Sequence, residues 1–176
     1  VLNRIAMLLT VCNEVFDCDE GYPIFELLDC PLVIEMDQCG IDEANFFLGL
    51  FLLYIFSYRM TQKHRGGLEH VIIFDEAHRV FFKPAERRET IEVLGPSIID
   101  QIPQMIRDYS EGLILATQEP NKLTSSAMAN TDLKLVGYLG YGVDIETMQK
   151  TLQINDEDTQ LIKRLKIGQF LSLIHI

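Results

Sequence analysis

The chain has 176 residues, 48% of them hydrophobic and 23% charged. That is enough for one domain with a substantial apolar core and too little for two, and it excludes disorder, collagen-like repeats or low-complexity linkers as descriptions of any large part. Subtracting 26 acidic from 15 basic side chains gives a net charge of -11, the wrong sign for a free-standing clamp on a phosphate backbone, so any nucleic-acid contact is local.

The chain opens Val1-Leu2-Asn3-Arg4, and the short apolar run Ile5 to Leu9 lacks the length and cleavage site of a signal peptide. The expectation is a start within a longer protein. Cys12, Cys18, Cys30 and Cys39 form no CxxC pair and have no histidine at metal-site spacing, so they read as reduced structural thiols of a cytoplasmic protein. The first 30 residues hold a predicted helix and a Gly21-Tyr22-Pro23 break.

From there short apolar runs alternate with longer helical patterns, which predicts an α/β fold with a parallel sheet. The predicted strands are Leu32 to Met36, His70 to Phe74, Leu113 to Thr117, Leu133 to Leu139 and Gln169 to the end. Their largely apolar composition suits strands covered on both faces. Phe46 to Phe56 is an unbroken apolar run between Asp42-Glu43 and Ser57-Arg59. It is too short for the roughly 20 residues of a membrane span and reads as a buried crossover helix.

After Gly95-Pro96, Ile98, Ile99, Ile102, Met105, Ile106 and Tyr109 recur at three- and four-residue spacing, the mark of a helix with one buried face, bent near Pro103 and ended by Gly112. A last helix is predicted from about Asp156 to Lys166, with Asn155 as N-cap, acids in its first turn and Gly168 beyond its end.

The segment richest in chemistry is Val71-Ile72-Ile73-Phe74-Asp75-Glu76-Ala77-His78-Arg79, an apolar strand ending in two carboxylates. This is a Walker B pattern. Such a strand carries its first acid to the carboxyl edge of the sheet, where nucleotide phosphates and Mg²⁺ collect in open α/β folds. Asp75 would hold a metal-bound water, and Glu76 would orient or deprotonate the attacking water. The same residues also describe a buried strand whose acids cap the next helix.

The next strand, Gly112 to Gln118, again delivers polar groups directly after an apolar run. The Gln118 amide can accept from a water and donate to a phosphate oxygen, which suits a sensor of the γ-phosphate; capping a loop is its other reading. Arg107 lies about 140 degrees from Ile102 around the predicted helix, away from the isoleucine stripe. It reads either as an arginine finger for a neighbouring molecule or as a solvated arginine. None of the 11 glycines is followed by lysine, so the chain has no Walker A loop to cradle phosphates. If the Walker B reading holds, that half is expected upstream of Val1.

Together these residues resemble the HerA/FtsK superfamily of RecA-like hexameric ATPases, specifically the HerA-like branch with the DUF87 domain. Pro31 to Asp37 resembles its strand before the long apolar helix, and Leu68 to Phe81 its Walker B strand with Glu-Ala-His-Arg. Ile106 to Gly112 resembles its arginine-containing helix end. Leu115 to Pro120, with Leu123, Asn130-Thr131 and Lys134, resembles its sensor strand, loop and next strand. Leu165 to Phe170 resembles its closing Leu-x-x-Gly-(Glu/Gln).

The resemblance implies a RecA-like P-loop NTPase core, incomplete at its N-terminal side, with residues 1-30 as a helical segment and 31-176 as the C-terminal part of the ATPase domain. It implies ATP and Mg²⁺ as cofactors. Asp75 and Glu76 would take the Walker B roles, Gln118 the sensor role and Arg107 the finger role in a neighbouring subunit's site. It further implies a ring hexamer, double-stranded DNA or another transferred substrate, and a nuclease partner. The segment alone is expected to be inactive, because its parallel strands would lack their neighbours. Asp108 and Gly137-Tyr138 depart from the family pattern, which usually has basic residues there, and so bear on intersubunit communication.

Two other readings remain: a superfamily 2 helicase with an Asp-Glu-Ala-His box, which would want Ser where Leu115 stands, and a non-catalytic RecA-like interaction module. The basic clusters Arg59, Lys63, His64, Arg65 and Lys83, Arg87, Arg88 read as solvated faces. His78, without a second ligand at helical spacing, reads as a helix-packing residue.

Overall fold

The computed structural model describes residues 6, 10, 18–37, 39–62, 67–83, 102 and 106–174, with the side chains of 41, 42, 106 and 107 outside that set. The chain divides into two compact units, residues 1–72 with 87–112, and residues 73–86 with 113–176.

In the first unit, α1 (Ile24–Leu28) begins directly after Pro23. The longer α2 (Ile41–Thr61) follows Gly40 and ends at Gln62, whose backbone returns to an extended conformation. It extends well beyond the apolar run that predicts it and, by length and composition, is long and apolar enough to cross a membrane. Its sides are unlike one another. Leu52 and Ile55 are buried, whereas Leu50, Tyr54 and Met60 are exposed. The expectation of a buried crossover helix is therefore corrected: 22% of its apolar stretch is buried. Phe56 meets Tyr109 edge to face at 5.0 Å, the geometry that aromatic quadrupoles favour.

A polar cluster adjoins this apolar core. Glu111, its side chain only 1% exposed, accepts a hydrogen bond from Arg59 Nε and faces His70 Nδ1 at 2.6 Å. The second guanidinium nitrogen reaches Glu69 at 3.3 Å.

β1 (His70–Phe74) and β2 (Glu111–Leu115) are hydrogen-bonded neighbours. At their amino ends Glu69 N–H donates to Ser110 O; at their carboxyl ends Ala116 N–H donates to Phe74 O, and Ala77 N–H to Ala116 O. Both chains advance the same way, so the pair is parallel, as predicted. Ile73 and Ile114 remain more than half exposed, so these strands are not covered on both faces.

The second unit centres on Phe74 and Phe81, in edge-to-face contact at 5.3 Å, with Leu123, Ala127, Met148 and Ile162 buried. Its α3 (Ser125–Ala129) is capped by the Thr124 hydroxyl, which accepts from Ala127 N–H. β3 (Leu133–Val136) pairs antiparallel with β4 (Leu171–Ile174), Leu133 opposite Ile174 and Val136 opposite Leu171. Between them lie α4 (Gly142–Leu152) and α5 (Asp156–Ile162). The parallel sheet predicted to include these two strands is corrected here: they pair antiparallel, with two helices in the connection rather than one. The predicted N-cap is present: the Asn155 side chain accepts from Asp158 N–H at 2.8 Å. Lys134 points to the buried side of β3, and burial pushes its ammonium pKa down.

One further predicted strand differs. Leu32 to Met36 forms no strand, and Val33 is 82% exposed. An apolar run needs a neighbour to become a strand, and these residues have no ladder among the described residues. The isoleucine-striped helix falls mostly outside the described residues; Ile102 is helical and buried, and Ile106–Tyr109 forms a 3-10 turn.

Asp144, in the first turn of α4, is buried, and its Oδ1 accepts from Asn121 N–H at 3.0 Å. This charge-assisted bond fixes the 3-10 turn Pro120–Lys122 against α4. Asp144→Ala is expected to lower stability by about 1.5–3 kcal/mol in urea unfolding, and Asp144→Asn, which keeps an acceptor, by less.

Candidate active site at the strand ends

At the end of β1 the backbone turns sharply at Asp75-Glu76. Asp75 is exposed, and its Oδ1 accepts from Glu76 N–H at 2.9 Å. Glu76 occupies the left-handed region at φ 50°, ψ 45°, which is costly for a residue that carries a Cβ and persists only where the surroundings enforce it. The enforcing bonds are Ala77 N–H to Ala116 O and Arg79 N–H to Glu76 O, both 2.8 Å.

Beyond β2 the chain presents Thr117, Gln118 and Glu119. The Gln118 amide donates through Nε2 to Glu76 Oε1 at 3.1 Å. Asp75, Glu76 and Gln118 all belong to the second unit, and the parallel pairing brings the two strand ends side by side. Arg107 lies in the first unit's 3-10 turn Ile106–Tyr109, with its side chain outside the described residues.

Four neighbours complete a polar network that sequence reading passed over. The other Glu76 oxygen lies 3.2 Å from His78 Nδ1, and His78 Nε2 lies 3.1 Å from Glu119 Oε2. Thr117 Oγ1 stands 3.1 Å from His78 Nδ1 and accepts from Glu119 N–H. Lys122 Nζ reaches Glu119 Oε1 at 2.7 Å. His78, largely buried, thus lies between two carboxylates. Its partners come from the next strand's end, which a search for ligands at helical spacing does not reach.

The Lys122 ammonium, by donating to Glu119, holds that carboxyl below its ordinary value of 4.5; burial opposes the shift, and the charges of Lys122 and His78 add to it. A carboxyl lowered in the folded state contributes stability that is present above 4.5 and lost as pH falls through the lowered value. In Lys122→Met, Glu119 is expected to titrate closer to its ordinary value when followed by carbon-13 NMR. An unchanged titration would contradict the pairing.

Among the described residues, no group of three or more His, Cys, Asp or Glu side chains is gathered to hold a metal ion. The donor set that fits Mg²⁺ is of another kind. Mg²⁺ keeps several waters and takes one or two carboxylates plus substrate phosphates. The exposed Asp75 carboxylate at a strand end suits that role; no Gly-Lys phosphate loop occurs in the chain.

The architecture matches solved structures of the genome packaging NTPase B204 from Sulfolobus turreted icosahedral virus 2. In its complex with ATP-gammaS the match has a TM-score of 0.60 at 18% identity, over 88% of this chain and 67% of that one. The chain has the fold of this NTPase. The complex with AMP matches with a TM-score of 0.51 at 23% identity, over 72% of this chain and 61% of that one. The shared fold is a mixed α/β arrangement with parallel strands and flanking helices, the fold class that the sequence predicts. No family model matches the chain, and no curated protein does.

Proposed function

We propose that the chain is part of an ATP-hydrolysing motor of HerA-like type, which moves double-stranded DNA through a ring of identical subunits. The observation that carries this reading is the 3.1 Å bond between the Gln118 amide and Glu76. It joins, from adjacent parallel strands, an acid able to take a proton from water and an amide able to sense a phosphate. The fold shared with B204, whose complexes contain ATP-gammaS and AMP, supports nucleotide as the ligand.

In this reading Asp75 would hold Mg²⁺ through one of its waters. Glu76 orients and deprotonates the attacking water, and Gln118 contacts the terminal phosphate. Bound Mg²⁺ supplies charge neutralisation on the phosphates. Arg107 is assigned to a neighbouring subunit's site, and a nuclease is a partner of the complete assembly. The phosphate cradle comes from outside these 176 residues, and the chain by itself is inactive.

The test is magnesium-dependent ATP turnover by the complete gene product. Turnover in the wild type and its loss in Asp75→Asn support the motor. The absence of turnover in the wild type favours the non-catalytic interaction module.

A further inference from the structure

The network around Glu76 extends past the groups assigned to chemistry. Both Glu76 oxygens are engaged, Oε1 by the Gln118 amide and Oε2 by His78 Nδ1 at 3.2 Å. The opposite ring nitrogen meets Glu119 at 3.1 Å, and Lys122 meets the other Glu119 oxygen at 2.7 Å. An ionised carboxylate only accepts, so a ring nitrogen serves it by donating; the Thr117 hydroxyl is the alternative partner of Nδ1 at 3.1 Å. The imidazole is only 12% exposed. Its 3-10 turn is anchored by the bond from Ala77 N–H to Ala116 O, and Glu119 is the residue before the 3-10 turn Pro120–Lys122.

We infer that His78 is a positioning residue for Glu76, held between the Glu76 and Glu119 carboxylates so that the placement of the Glu119–Lys122 turn sets the aim of the water-activating acid. The inference rests on the motor reading. A carboxylate on a strained backbone at a strand end has several rotamers open to it, and only some point at a water in line with the terminal phosphate. His78 and Gln118 restrict those rotamers from two sides. Because Glu119 and Lys122 fix the far side of the ring, a ligand that draws the Lys122 ammonium away would loosen Glu76 without touching the nucleotide.

The experiment measures kcat and KM for ATP in the complete gene product as wild type, His78→Ala, Glu119→Ala and Glu76→Gln, with saturating Mg²⁺. The expected result is a fall in kcat of about 10–100-fold for His78→Ala and a smaller fall for Glu119→Ala, both with KM close to wild type. His78→Gln, whose amide can still donate to Glu76, recovers part of the loss. Should His78→Ala fail to fold, Glu119→Ala carries the test, since that side chain is 42% exposed.

Wild-type kcat in both alanine variants, with Glu76→Gln inactive, overturns the inference and leaves the motor standing. A loss confined to His78→Ala overturns the role of Glu119, and a rise in KM without a fall in kcat overturns positioning. No turnover in the wild type removes the motor reading itself.

Discussion

Glu111→Ala is expected to destabilise the first unit by about 3–5 kcal/mol, the cost of removing one member of a buried ion pair. The Glu111 side chain is 1% exposed and serves two cationic or potentially cationic groups, Arg59 and His70. Without it, the Arg59 guanidinium, 12% exposed, keeps among the described residues its 3.3 Å contact with the half-exposed Glu69. Arg59 cannot shed its charge, so the cation beside buried Ile55 and Leu52 loses the carboxylate that its Nε donates to. Glu111→Gln keeps the shape and one acceptor and is expected to cost less, about 1–3 kcal/mol. Urea unfolding of the protein checks both values; a loss below about 1 kcal/mol for the alanine variant would show that Glu69 and water replace the lost carboxylate.

Glu76→Gln is expected to lower ATP turnover by about 10²–10⁴-fold in the complete gene product, the range that a positioned general base contributes. The glutamine retains an oxygen for the Gln118 amide, which donates to Glu76 at 3.1 Å, and so preserves that contact. It removes the proton acceptor and puts an amide nitrogen in place of the oxygen that faces His78 Nδ1 at 3.2 Å. KM for ATP should therefore change little, and the loss should appear in kcat. Equal turnover in wild type and variant would reject Glu76 as the base.

Much of this organisation is legible in the sequence, and the failures have identifiable causes. His70 to Phe74 can be read as a strand because an apolar run stops abruptly at Asp75-Glu76, and the same contrast marks β2 before Thr117-Gln118. Asn155 is legible as an N-cap because capping is local chemistry, settled within three residues. Leu32 to Met36 fails because strand formation depends on a partner that apolar composition does not identify. The direction of β4 depends on how two intervening helices return the chain, which no local pattern records.

At the site, the acids and Gln118 can be found because strand ends place them. The polar contacts of His78 are not legible for the opposite reason. Its significance comes from Thr117 and Glu119, brought to it only by the parallel pairing of β1 with β2.

The central claim is that Asp75, Glu76 and Gln118 address one magnesium-bound triphosphate. A structure of the complete gene product with Mg²⁺ and a non-hydrolysable ATP analogue tests it most directly. The account predicts Asp75 hydrogen-bonded to a water on the metal, with the Glu76 carboxylate and the Gln118 amide flanking the terminal phosphate. A triphosphate bound elsewhere, with these three side chains contacting only protein, would contradict it.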